Sequence, residues 1–144
     1  MWMETEYEPG TVKVVAYDEN GKAVATKEIR TAGKPHRLVL EADREVISAD
    51  GKDLSFITVS VVDRDGNPCP DVNELVTFTV KGAGSYRAGA NGDPTSLDPF
   101  HLPRMHLFNG KLVAIVESSE KPGKITLEAK ANGLQKASVE VLTR

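Results

Sequence analysis

The chain has 144 residues, of which 40% are hydrophobic, 27% charged and 6% aromatic. That length suits one domain, or one domain with a fragment of another, and excludes a (β/α)₈ barrel, which needs about 200 residues or more. Eighteen Lys and Arg against 21 Asp and Glu give a net charge of −3, mixed along the chain, which argues against nucleic acid; no apolar run approaches the ~20 residues of a membrane helix; and the single cysteine, Cys69, excludes an internal disulfide.

The opening Met1-Trp2-Met3-Glu4 has neither the basic nor the apolar region of a signal peptide, so none is expected in this stretch. Residues 11–30 read as a self-contained β-hairpin. Val12, Val14 and Ala16 alternate on one strand, Asp18-Glu19-Asn20-Gly21 turns the chain, and residues 24–29 return. Thr31-Ala32-Gly33-Lys34-Pro35 has the composition of a linker. A strand begins near Arg37-Leu38-Val39-Leu40. Residues 41–46 are the best helical candidate and are too few to stand alone.

Beyond that the period is two. Ile57, Val59 and Val61 alternate with Thr58 and Ser60; Val76, Phe78 and Val80 with Thr77 and Thr79; Ile125, Leu127 and Ala129 with Thr126 and Glu128; Val139 and Val141 with Ser138 and Glu140. Each pattern covers a core on one side. Phe56 and Phe78 fit buried positions. Leu112-Val113-Ala114-Ile115-Val116 is apolar throughout and predicts a central strand covered on both faces. Asp50-Gly51, Asp65-Gly66-Asn67, Asn91-Gly92, Asn109-Gly110 and Asn132-Gly133 supply turns at sandwich spacing. The fold class is all-β: an immunoglobulin-like antiparallel sandwich over residues 36–144, preceded by an extra hairpin and linker over residues 1–35.

Candidate chemistry is sparse. Asp63-x-Asp65-Gly66-Asn67 lacks the glycine and glutamate positions of a calcium loop and reads as a turn. His36, His101 and His106 have no metal-ligand spacing, so no metal and no cofactor are expected. Cys69, between Pro68 and Pro70, has no neighbouring cation to activate it and reads as a small buried side chain. The acids sit in turns or on polar strand faces, as solvated charge. The longest irregular stretch, residues 89–104, is of a length that usually carries function. Tyr86, Phe100 and Phe108 flank it and are the aromatics available for a sugar platform, although core positions suit them better.

Two stretches carry a resemblance. Val61-Val62-Asp63-Arg64-Asp65-Gly66-Asn67-Pro68-Cys69-Pro70, followed by Val76-Thr77-Phe78, resembles the strand–turn–strand element of bacterial immunoglobulin-like repeats found in adhesins and in multidomain secreted enzymes. Asp43-Arg44, Ile47-x-Ala49-Asp50-Gly51-Lys52-Asp53-Leu54-Ser55, Asn91-Gly92-Asp93-Pro94-Thr95-Ser96, Phe108-Asn109-Gly110 and Ala114-Ile115-Val116-x-Ser118 follow in order. That series resembles the C-terminal immunoglobulin-like domain of glycoside hydrolase family 2 β-galactosidases of gut Bacteroidetes. Residues 7–17, with Gly21-Lys22 and Thr31-Ala32-Gly33, are similar to the last strands of the small β-domain that precedes it.

The resemblance implies a non-catalytic accessory module, because the family's paired catalytic glutamates lie on a barrel with no counterpart here. It carries over Asn91, Asp93, Thr95, Ser96 and Asn109 as motif positions of a fixed loop. These, with Arg104, are the candidates for contact with a ligand or a neighbouring domain; no motif matches at residues 99–105. The expected partners are the other domains of the parent glycosidase and a glycan, with a dimer through the N-terminal hairpin. The expected location is periplasmic or extracellular. Two other readings stand beside this one: an adhesin repeat, and a carbohydrate-binding module using Tyr86, Phe100, Arg104 and Asn91.

Overall fold

A computed structural model describes residues 8–144; Trp2 and Tyr7, which entered the sequence reading, lie outside the described residues. Eleven strands run through them: β1 (Thr11–Tyr17), β2 (Ala23–Arg30), β3 (Arg37–Ala42), β4 (Val46–Ile47), β5 (Leu54–Val62), β6 (Leu75–Gly82), β7 (Gly84–Ala90), β8 (Arg104–His106), β9 (Lys111–Ser118), β10 (Gly123–Ala131) and β11 (Ala137–Thr143). They form a two-stranded sheet, β1-β2, a five-stranded sheet in the order β4-β11-β10-β6-β8, and a four-stranded sheet in the order β3-β5-β9-β7. The two larger sheets enclose one core, as the alternation predicts. Ile57, Val59 and Val61 of β5 and Leu112, Ala114 and Val116 of β9 bury against Val76 and Phe78 of β6, Ile125, Leu127 and Ala129 of β10 and Val141 of β11.

The chain changes sheets between β3 and β4, and the quoted 43–55 motif is what holds that corner. The Phe56 amide donates to Asp43 Oδ1 at 2.8 Å, and the Asp43 amide returns a bond to the Phe56 carbonyl at 2.9 Å. Ser55 is fully buried, and its hydroxyl donates to the Arg44 carbonyl at 2.9 Å. The Arg44 guanidinium donates to Asp53 Oδ1 at 2.8 Å and to the Leu54 carbonyl, while the Ser48 amide donates to Asp53 Oδ2 at 2.8 Å. Those donors hold the Asp53 carboxyl at about 2, the Ser48 amide contributing most and the Arg44 guanidinium next.

Three expectations change. Residues 41–46 are the end of β3 and the corner, with no helical turn. Phe56 is 43% exposed. Its neighbours Ile57 and Ser55 face the core, so its own parity points it outward. β9 is central in its sheet, but Val113 and Ile115 on its outer face are only half-buried. The hairpin closes in full register with Val12 opposite Ile29, and the register slips by one between Ala16 and Tyr17. Val12 and Ile29 remain 65% and 64% exposed, so the sandwich does not cover that row.

Candidate functional site

Residues 91–103 connect β7, at the edge of the four-stranded sheet, to β8, at the edge of the five-stranded sheet. The loop is tied at both ends. Asn91 Nδ2 donates to the His106 carbonyl at 3.1 Å and its Oδ1 accepts from the Asp93 amide at 3.1 Å. Asp93 Oδ1 accepts from the Thr95 amide at 2.8 Å and from its hydroxyl at 2.7 Å, which is the short-range pairing an acid adopts in a turn. The Ser96 amide donates to the Asp93 carbonyl at 3.2 Å, and Ser96 Oγ accepts from the Asp98 amide at 3.3 Å. Beneath the loop, fully buried Met105 anchors β8 in the core, and the Phe78 and Gly89 amides donate to the Pro103 and Phe100 carbonyls.

Asp98 and His106 close the loop. The His106 amide donates to Asp98 Oδ2 at 2.7 Å, and His106 Nδ1 lies 2.9 Å from the same oxygen. A carboxylate only accepts, so Nδ1 carries the proton. The His106 amide, with help from the imidazole and from Arg104, holds the Asp98 carboxyl below the usual carboxylate range.

A shallow cleft of about 400 Å³ lies on this loop, lined by Asn73, Asn91, Ser96, Asp98, His106 and Phe108 among others. Of the candidates, Asn91, Asp93 and Ser96 line it; Thr95, Arg104 and Asn109 do not. Asn109 instead occupies a two-residue turn. Phe108 and Lys111 exchange backbone bonds of 2.9 and 3.1 Å, and Asn109 and Gly110 have φ of 51° and 71°, the pairing a tight hairpin requires. A Cβ on Gly110 would collide with the Cys69 carbonyl. The Asn109 amide donates to Asn73 Oδ1 at 3.3 Å, which joins this turn to the 68–75 connection.

The exposed apolar side chains of the loop are Leu97 (96%) and Phe100 (64%). Tyr86 is turned into the core instead of joining them at the surface. Its ring stacks on Phe78 with centroids 5.6 Å apart, and its hydroxyl is buried without a partner among the described residues. Burial pushes that phenol up to about 12.

A second concavity, of about 510 Å³, lies where the linker meets the sandwich, between residues 33–36 and 63–65. Asp63 organises it. This buried carboxylate accepts from the Gly33 amide at 2.7 Å, from the Asp65 and Asn67 amides at 2.9 and 2.8 Å, and from Asn67 Nδ2 at 3.0 Å. These donors, led by Asn67 Nδ2 and the Gly33 amide, hold its carboxyl at about 2. Cys69 is buried beside it, and burial raises its thiol pKa. No cluster of metal-ligating side chains occurs among the described residues.

Sequence reasoning weighed His106 as a metal ligand and did not pair it with Asp98, and it missed Asn73 and the burial of Asp63. An Asp and a His eight residues apart in a loop were a weak signal for the first two. Asn73 had none, because its partner lies 36 residues away; for Asp63 the turn with Asp65 and Asn67 was readable, but the bond from Gly33, 30 residues away, was not.

A family model described as glycoside hydrolase family 2 C-terminal domain 5 matches residues 38–140, and one described as a domain of unknown function, DUF4982, matches residues 1–25. The chain is 47% identical over 136 residues to a β-galactosidase, BoGH2A, of Bacteroides ovatus, covering 94% of this chain and 16% of that protein. It is 36% identical over 126 residues to a β-galactosidase of Thermoanaerobacter pseudethanolicus, covering 87% of this chain and 15% of that one. The crystal structure of a glycosyl hydrolase family 2 member from Bacteroides cellulosilyticus superposes with a TM-score of 0.89 at 33% identity, over 97% of this chain and 18% of that chain. The chain thus spans about one sixth of the length of the curated relatives it matches.

Proposed function

The chain belongs to the glycoside hydrolase family 2 C-terminal domain 5 family, and from that membership we propose that it is a non-catalytic positioning module at the C-terminal end of a β-galactosidase. The parent enzyme hydrolyses glycosidic bonds in carbohydrate catabolism, in the periplasm or outside the cell.

One observation carries the non-catalytic reading. Glycoside hydrolysis needs a carboxylic acid kept protonated near neutral pH beside a second carboxylate. Three acids tied into the fold here have the opposite setting: Asp53, Asp63 and Asp98 are each held below their ordinary range by donors that hold the backbone in place. Each donor set is a structural tie, at a sheet corner, a linker and a loop closure.

The boundary between the parent's last two domains falls at residues 35 and 36. Residues 1–35 are the end of the preceding β-domain, a division supported by the separate family match to residues 1–25 and by the uncovered row of Val12 and Ile29. In the free chain the two-stranded sheet has open backbone edges for pairing with a second copy. The chain's natural partners are the other domains of the parent, and the 91–106 cleft is where a glycan would reach it.

Incubation of the 144-residue chain with a chromogenic β-galactoside between pH 4 and 8 tests this reading. No release above buffer is expected. Hydrolysis that disappears in Asp98→Asn would overturn it.

A further inference from the structure

The outer faces of the two large sheets differ at their centres. On the five-stranded sheet the outward positions include Thr79, Glu128 and Ser138 in one cross-strand row, with Thr77 and Lys130 in the next. Their charges close on each other, with Lys130 Nζ 3.0 Å from Glu128 Oε1 and Lys124 Nζ 2.7 Å from Glu140 Oε1. The centre of that face is stable in water, its exposed apolar pair, Leu142 and Val46, lying at the β11–β4 edge. On the four-stranded sheet the register sets Phe56 of β5 beside Ile115 of β9 and Ile115 beside Ala88 of β7; the next row is Thr58, Val113 and Ala90. None of these positions is fully buried.

The departure traces to β9. Its five consecutive apolar residues place Leu112, Ala114 and Val116 in the core and leave Val113 and Ile115 outside. Two β-branched side chains and a phenylalanine at the centre of an outer face gain little from water and gain much from a cover.

We propose that this face, centred on Phe56, Val113 and Ile115, is the surface through which the sandwich docks onto the rest of its parent glycosidase, the occupant being an apolar protein surface of the same polypeptide. The inference rests on the accessory reading above. Length supports it: the chain accounts for 16% of the Bacteroides ovatus β-galactosidase, so more than four fifths of such a polypeptide lies outside it. Tethering also favours this occupant over a second copy. A covalent link holds the two surfaces at roughly millimolar effective concentration, so an interface too small for a free dimer still closes.

Thiol labelling tests the proposal, since the one native cysteine is buried. Ile115→Cys and Thr79→Cys, one on each outer face, are made in the 144-residue chain and in the full-length parent and treated with a maleimide; Phe56→Cys replaces Ile115→Cys if that variant loses the β-sheet circular dichroism of the parent chain. Both thiols are expected to react in the 144-residue chain, the half-buried one at 115 more slowly than the exposed one at 79, and each sets the reference rate for its own site. In the full-length enzyme the cysteine at 115 is expected to slow by about tenfold or more, as a site needing local opening does, while that at 79 is unchanged. Equal rates at 115 in both proteins overturn the proposal. So does slow labelling at 115 in the short chain that depends on concentration, which assigns the face to a second copy. Hydrolysis by the free chain would defeat the accessory reading but leave this labelling contrast intact, so the two failures are told apart.

Discussion

Met105→Ala is the perturbation that asks most directly whether β8 fixes the 91–103 loop. Met105 is fully buried, in a strand of three residues. A Cβ on Gly89 would meet its Sδ at 3.4 Å, so the sulfur lies against β7 under the loop it closes. Truncation removes three heavy atoms beyond Cβ, and at ~0.8 kcal/mol for each methylene-sized group the lost transfer energy is about 2.4 kcal/mol. A residual cavity of roughly 50 Å³ at ~24 cal/mol per Å³ adds about 1.2 kcal/mol. The total of about 3.6 kcal/mol falls below the ~5–15 kcal/mol of a typical domain, so the variant should still fold. Urea denaturation followed by circular dichroism reads the loss. Amide exchange reads its location: the Phe78 and Gly89 amides, bonded to Pro103 and Phe100, should lose protection before those of β10. A loss under about 1 kcal/mol, or uniform loss of protection, would refute the claim that β8 is the loop's anchor.

Three further outcomes follow from single groups. Tyr86→Phe removes a buried hydroxyl with no partner and keeps the stack on Phe78, so denaturation should show a gain of about 1 kcal/mol; in the native chain, ultraviolet titration should find one phenol ionising near 12. Gly110→Ala adds a Cβ at a φ of 71° that collides with the Cys69 carbonyl, and a loss above about 2 kcal/mol is expected in the same assay. Asp63 is about 2 in the folded chain against 3.8 as an ordinary aspartate, so its contribution is complete above pH 4 and is lost as pH falls toward 2. The unfolding midpoint of Asp63→Asn should therefore vary less than wild type across that window; identical acid limbs would contradict the linker clamp.

The sandwich was legible because its core strands obey parity strictly. Ile57, Val59 and Val61 could face only one way, and so could Leu127 and Val141 in their strands. The same rule, followed through, would have placed Phe56 outside; its hydrophobicity argued for the core, and parity prevailed. Turn chemistry was equally readable at Asn109-Gly110, where both φ values are positive. The site was legible only in part. The Asx-type pairing of Asp93 with Thr95 is local and follows from composition. Asp63 is different: its bonds from Asp65 and Asn67 are local turn chemistry, but the fourth, from Gly33 of the linker, comes from 30 residues away. Long-range partners of that kind leave no periodic trace.

The most direct test of the positioning role compares the full-length parent with a version lacking residues 36–144. If the module only positions the parent, removal of residues 36–144 should leave kcat for a chromogenic β-galactoside within about threefold, while thermal inactivation moves to lower temperature. A truncated enzyme that stays folded and stable yet loses kcat by about a hundredfold or more would contradict the account, because the module would then supply a group to the chemistry.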